Sequence, residues 1–363
     1  MEQKVALKQI IPYEEFLRQE AIPVYKGYSI DDVRAVALGP WARLEGRGAY
    51  INLAGSGGTT NAYICEISPG KKLAPERHMF EKFVYIIDGE GETQVWTKGG
   101  GKAKTAWRSG SLFAIPLNAF HQFVNTGAKA ARFLAVTNAP LIIDLYHNLD
   151  FIFNCEQQFS DRFDSEPDYF TRKGQVFPGR QIVWETNFVP DAPGLSLYEV
   201  EKESRGKGAL FVMLEMAQST FTGHLAEWEG GTCQKAHYHG AGAHLLMLKG
   251  KGYSLIWPNE AGTRPFHEGK RDEVVRVDWR EGTLFAPPDL WFHQHFNSGT
   301  GLARHLALRW GSRKYRLSAT FDTDPERTIT GMKQGGTQIE PEDADPEIDR
   351  LFADECRKAR AQA

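Results

Sequence analysis

Short apolar runs alternate with turn residues between Tyr50 and Asn138, at Asn61–Ile67, Phe83–Ile87, Glu92–Trp96, Ser111–Ile115, Phe120–Asn125 and Arg132–Thr137. Runs of this length and spacing predict the strands of a small all-β barrel. Two stretches carry a helical period instead. Tyr13–Arg18 is a short helical candidate in an N-terminal arm that also holds Pro23 and Pro40. Asp345–Arg360 places Ile348, Leu351, Phe352 and Cys356 at helical spacing behind Pro341 and Pro346, which predicts a C-terminal helix whose apolar stripe is for packing.

The barrel pattern repeats. Gly110-Ser-Leu-Phe-Ala-Ile-Pro116-x4-His121-Gln-Phe-Val-Asn125 returns 172 residues later as Gly282-Thr-Leu-Phe-Ala-Pro-Pro288-x4-His293-Gln-His-Phe-Asn297. Gly70, His78 and Gly89 return 161 residues later as Gly231, His239 and Gly250. The 11-residue difference places an insertion between Gly250 and Gly282, around the polar stretch Asn259–Asp272, where a loop can absorb it. The chain therefore divides into an arm (1–45), a first barrel (46–140), a connection (141–207), a second barrel (208–312) and a tail (313–363). The connection is rich in Asp, Phe and Pro. A structureless loop of that length is unusual in a compact protein, so it is expected to pack across both barrels.

Composition narrows the class. With 363 residues, 41% hydrophobic and 12% aromatic, the chain can bury two sizeable cores. A net charge of −3 and the lack of any Lys/Arg run argue against nucleic-acid or membrane partners. The start, Met1-Glu2-Gln3-Lys4, leads into mixed polar sequence rather than an apolar signal core, and no apolar stretch reaches membrane-spanning length. Cys65, Cys155, Cys233 and Cys356 lack Cys-x-x-Cys spacing and read as unpaired thiols of a reducing compartment, so a cytoplasmic location is expected. Sheet edges and terminal arms point to a homodimer or homotetramer.

The chemistry gathers in the second copy. Eight of eleven histidines lie between His224 and His305. Alternation along a strand turns His237 and His239 to one face, and likewise His293 and His295. Imidazole nitrogen suits Fe, Zn, Cu, Ni and, more weakly, Mn. His237, His239 and His293 are the candidate metal ligands. The corresponding positions of the first copy read Glu76, His78 and His121.

These two segments resemble the two motifs of the cupin superfamily, which implies two tandem jelly-roll (double-stranded β-helix) barrels in one chain, a bicupin. In that pattern the first motif ends in a Glu four residues after its second His. Lys82 stands there in the first copy and Ala243 in the second. A cationic Lys82 repels a divalent ion and can pair with Glu76, so the first barrel is expected to be metal-free. The neighbouring Glu81 points the other way by alternation, unless a bulge intervenes. Leu290 stands where the general pattern has a Gly. His244, directly after the open Glu position, faces away from Ala243 by alternation but becomes a fourth ligand if Gly240-Ala241-Gly242 distorts the strand.

The run His237-x-His239-x3-Ala243-x6-Gly250, followed by Pro287-Pro288, Trp291 and His293-x-His295-x-Asn297, is similar to the gentisate and 1-hydroxy-2-naphthoate dioxygenase group. That resemblance implies Fe(II) held by three His without Glu, with O2 as co-substrate and a small hydroxylated aromatic substrate. Mn, Zn or Ni suit the same ligands, and no organic cofactor is expected. Three neutral imidazoles leave up to three open positions on an octahedral ion, or two if His244 binds. His295 is the candidate catalytic group, moving a proton beside the metal, with a packing role as its alternative. Asn297 reads as a turn-fixing residue. His224, Trp228, Cys233, Tyr253, Phe285, His305 and Arg309 are candidate pocket residues, with Arg309 suited to a substrate carboxylate. Two other functions fit the same residues: a non-oxidative lyase, isomerase or decarboxylase, and a small-molecule-binding accessory protein without turnover.

Overall fold

A computed structural model of the chain describes residues 7, 9–199, 208–240, 242–317 and 327–362. Two sheets form each barrel. In the first, a large sheet runs in the order Val24–Gly27, Gly46–Leu53, Asn61–Ile67, Ala131–Thr137, Lys82–Asp88, Leu112–Ile115, Phe188–Val189, with Gly39–Trp41 paired on Gly46–Leu53. Its small sheet runs Phe120–Asn125, Glu90–Trp96, Lys102–Arg108. In the second barrel, the large sheet contains Val183–Glu185, Leu210–Glu215, Phe221–Trp228, Ala303–Trp310, His244–Lys249 and Leu284–Phe285, and the small sheet contains Thr232–Cys233, Phe292–Asn297, Lys251–Trp257 and Val275–Arg280. The apolar pattern missed Lys102–Arg108 because its inward positions are Ala103, Thr105 and Trp107 between exposed Lys and Arg.

The large-sheet strands are apolar on both faces because both faces are covered. Tyr63, Cys65 and Ile67 point into the first barrel against Phe123 and Phe133. Their neighbours Ala62 and Ile64, with Ile51, Leu134 and Val136, form a second core with Leu214, Leu225, Leu246, Leu306 and Leu308 of the other barrel. The two large sheets therefore pack back to back. Short strands exchanged between the halves lock this packing: Ser29–Ile30 of the arm pairs with Leu284–Phe285 of the second barrel, and Phe188–Val189 of the connection pairs with Leu112–Phe113 of the first. At Gly55 a Cβ would stand 2.2 Å from the Ala286 carbonyl oxygen, so only glycine allows this turn of the first barrel to seat on the second.

The described part of the connection, to residue 199, is ordered rather than structureless. It begins with the helices Ala139–Tyr146 and Leu149–Asn154, and buried Arg304 of the second barrel donates to the Ala192 and Leu195 carbonyls while pairing with Glu227 at 2.7 Å. The insertion forms the loop between Lys251–Trp257 and Val275–Arg280. The C-terminal helix spans Pro346–Ala361, capped by Asp345, and lays Ile348 and Phe352 on the outer face of the second small sheet. None of the described helices is long and apolar enough to cross a membrane.

Two polar residues sit on the barrel junction. Glu81 faces away from the first-barrel cavity, as alternation requires, and accepts from the Thr220 and Phe221 backbone N–H groups, the Thr220 hydroxyl and Arg162. His244 also faces the junction. Its strand neighbours Leu246 and Leu248 belong to the shared core, and its Nε2 lies 3.3 Å from Ser56 Oγ of the first barrel. The fourth-ligand reading of His244 is thereby corrected: regular pairing of His244 with Leu308 holds it on the sheet face opposite Ala243. The distortion invoked at Gly240-Ala241-Gly242 falls partly on Ala241, outside the described residues.

Glu81→Ala strips partners from two buried N–H groups and is expected to cost about 3 kcal/mol in urea unfolding, with Glu81→Gln costing less. Burial lowers the His244 pKa to about 4. The unfolded chain takes up this proton near pH 6.5, so between those values it binds more protons than the folded chain and stability falls as pH drops. Between pH 6.5 and 4 the wild type should lose on the order of 3 kcal/mol more than His244→Gln, measured by urea unfolding at each pH.

Candidate metal centre

One pair of backbone hydrogen bonds builds the centre. His237 N donates to His293 O at 3.1 Å and His293 N to His237 O at 2.9 Å, which sets the first-motif segment against the strand Phe292–Asn297. The preceding turn is closed by Leu290, whose N–H donates to His239 O at 3.0 Å. Leu290 takes φ of 60°, the left-handed conformation that glycine adopts most easily, so the turn keeps its shape at a cost of about 1 kcal/mol. Its repeat counterpart Asn118 has φ of 54° and bonds His78 O in the same way.

Three buried imidazoles converge as a result. One ligand atom each from His237, His239 and His293 lies within 4.8 Å of the others. In each ring Nδ1 meets a backbone carbonyl: Lys235 O at 3.0 Å, Gly240 O at 2.9 Å and Trp291 O at 3.1 Å. Donation from Nδ1–H to these carbonyls assigns the tautomer in which Nε2 carries the lone pair that can ligate a metal. Ala243 lines the same cavity, and among the described residues no carboxylate does. Three neutral nitrogen donors fit a divalent ion with its charge intact and open positions beside it.

The cavity beside these imidazoles opens toward solvent, and its wall includes Gln181, Phe211, His224, Gln234, His295, His305 and Arg309. His295 Nδ1 lies 2.7 Å from Ser254 Oγ, which in turn accepts the Trp279 indole N–H at 3.1 Å. The Ser254 hydroxyl proton is then directed at Nδ1, and neutral His295 carries its own proton on Nε2. His224 and His305 face each other, Nε2 to Nε2, at 3.3 Å. Arg309 is buried; its Nη1 donates to Trp310 O at 3.2 Å, while Nε has no hydrogen-bond partner among the described residues. Burial, with help from Arg313, lowers its pKa to about 10, which leaves it cationic at neutral pH.

Among the predicted pocket residues, His224, His305 and Arg309 line the cavity. Trp228 and Phe285 lie behind it, at 5.4 Å from the His305 ring and 5.7 Å from the His295 ring. Cys233 and Tyr253 are corrections. Ser254 pairs with His295, so Tyr253 next to it faces outward, stacked on Phe296 at 4.7 Å. Cys233 lines a separate cavity beneath the C-terminal helix, and burial pushes its thiol up to about 12. Alternation from Cys233 to His237 fails because regular strand ends at Cys233. Asn297 fixes a turn, as read: its side chain bonds Trp228 O, Gly301 O and Gly299 N. Gln181 and Phe211 went unnoticed, since nothing local ties a connection glutamine to the site. Gln234 had a visible position, three residues before His237, but the wrong phase.

The first barrel repeats the geometry with a different occupant. Glu76 and His121 exchange the same two backbone bonds, and Glu76, His78 and His121 offer ligand atoms within 4.8 Å of one another. The Lys82 ammonium already sits among them, 2.6 Å from Glu76 Oε1 and 2.8 Å from His121 Nε2. Against the desolvation of burial, Lys82 and Arg43 hold the Glu76 carboxyl well below its usual range. Burial and Lys82 together keep His78 and His121 neutral by lowering both pKa values. A metal ion would have to displace Lys82.

A family model described as "Cupin domain" matches residues 63–137. No curated protein sequence matches the chain. Among solved structures, one variant of oxalate decarboxylase from Bacillus subtilis is 13% identical over 80% of this chain and 78% of that one, with a TM-score of 0.51. The same Bacillus subtilis enzyme, in a study of its Mn(II) centres, is 13% identical over 80% and 78% of the two chains with a TM-score of 0.50. At this identity the likeness is one of fold. The chain has two barrels in a fold like that of oxalate decarboxylase, and its residues 63–137 match the cupin domain.

Proposed function

We propose that this is a metal-dependent cupin enzyme whose single metal is held by His237, His239 and His293, and which acts on a small, anionic, oxygen-rich substrate. The observation that carries this reading is the cavity wall: six histidines, two glutamines and buried Arg309, with no Asp or Glu among the described residues. A metal dication and a guanidinium in a buried space without protein carboxylates call for a negative charge, and the substrate is its source.

The preferred reaction is oxidative cleavage of a hydroxylated aromatic acid. Bound Fe(II) would supply open positions and an electron route between a chelating substrate and O2. The chain's own residues do the rest. Arg309 presents its unpaired Nε–H to the substrate carboxylate and fixes the ring's orientation. His295, held by Ser254, can give the Nε2 proton to a substrate oxygen and take it back from the product or from water, with the His305–His224 pair as a polar wall beside it. Trp228 and Phe285 back these rings with apolar surface and keep the imidazoles in place. The absent carboxylate at Ala243 supports this reading, because it leaves room for two ligands at once.

A second reading is a non-oxidative decarboxylase or lyase with Mn, Zn or Ni, and the fold likeness to the Mn(II)-containing oxalate decarboxylase supports it. Both readings need the same ligands and Arg309; they differ in the need for O2.

Protein purified without oxygen should hold one divalent metal per chain by plasma mass spectrometry, and His237→Ala and His293→Ala should hold none. Oxygen uptake with hydroxylated aromatic acids then supports cleavage; product formed without oxygen supports the lyase; tight binding without product leaves an accessory binder; and absence of metal sinks all three. Arg309→Gln removes a charged hydrogen bond of about 1.5–3 kcal/mol and should raise KM for carboxylated substrates about 10- to 100-fold, with a smaller effect on kcat.

A further inference from the structure

The C-terminal tail crosses the second barrel at the metal-binding segment itself. His237 forms a β-bridge on one side with His293 and on the other with Gln338. Ile339 N donates to Ala236 O at 2.8 Å and Tyr238 N to Thr337 O at 3.2 Å. The Thr337 hydroxyl donates to Tyr238 O at 2.7 Å, so the residue between two candidate ligands has both of its backbone polar groups held by one tail residue. Thr337, Gln338 and Ile339 are all buried.

This contact has a physical task. Residues 234–236 belong to no regular strand, and the small-sheet side holds the segment through bonds at Gln234, His237 and His239 that leave the Tyr238 peptide to be fixed from its other edge. The tail adds the missing edge pairing. It is itself anchored just after the crossing, by the Lys235–Glu340 ion pair at 2.6 Å and by Asp345, whose carboxylate accepts from the Phe266, His267 and Glu347 N–H groups.

We propose that residues 337–339 are a positioning element of the metal centre, with Thr337 its decisive side chain: by holding the Tyr238 peptide they set the separation of the His237 and His239 nitrogens and so the affinity and geometry of the metal. The inference rests on the three-histidine metal reading above. Nothing in the repeat predicts it, because the tail has no counterpart after the first barrel in which a strap pairs with Glu76; there the Glu76 segment bridges only His121 among the described residues.

The test uses full-length protein loaded with Co(II), read by its visible absorption and by release into excess chelator. Thr337→Val keeps the shape but loses the hydroxyl; it should release Co(II) about 10-fold faster than wild type and alter the absorption band, the size of effect seen when a group supporting a metal ligand is removed. Thr337→Ser should restore both. Lys235→Met, which loosens the strap from outside, should also speed release if Thr337→Val does not fold. Glu81→Gln, remote from the centre, should change stability without changing release. Wild-type release and spectrum in the Thr337 and Lys235 variants would overturn the positioning role alone, whereas failure of the wild type to bind Co(II) would overturn the metal reading and this inference with it.

Discussion

The reciprocal backbone pair between His237 and His293 is the constraint on which the rest of the site depends. Two N–H···O bonds place residues 56 positions apart directly opposite each other, and from that register every other distance follows. Side chains on the same face then converge, the Nδ1 atoms find carbonyls two residues or fewer away, and Nε2 is left to point inward. The tail strap repeats the device on the other edge of the same short segment. A metal site needs ligands fixed to a fraction of an ångström, and paired backbone is stiffer than any side-chain contact.

The first barrel shows what the same backbone does with other residues. Its Glu76–His121 pair is built identically, yet the space between the ligands is filled by an ammonium on the barrel's own strand. Lys82 satisfies Glu76 and His121 from inside, which turns a potential ion site into a closed ionic core beside Arg43. The second barrel carries Ala243 at that point, and the small side chain leaves the cavity open. One position, Lys in one copy and Ala in the other, thus distinguishes a barrel filled at its centre from one with an open cavity.

The halves cannot be treated as separate modules. Their large sheets bury a common core, short strands pass from each to the other, and Glu81 and His244 make polar contacts across the junction. Gln181, from the connection, also lines the cavity of the second barrel. The first barrel therefore contributes to the site through support, by holding the sheet that carries His224, His305 and Arg309.

The sequence by itself determined the repeat, the two-barrel class, the three inward histidines and the closed state of the first copy. Those features rest on short-range rules: period-two alternation, glycine at corners and the sign of a charge at one position. Alternation also assigned Glu81 correctly and gave His295 its face. It failed at Cys233, because the strand ends there, four residues before His237, and the phase is lost, and at Tyr253, where register with the partner strand decided which neighbour met His295. His244 was left open because local sequence cannot say whether a glycine run bends a strand or ends it; pairing with Leu308 settled that in the folded chain. Gln181, Phe211 and the Thr337 strap were invisible for a simpler reason. They reach the site from segments tens of residues away, and contacts of that kind exist only once two buried sheets have packed and brought their edges together.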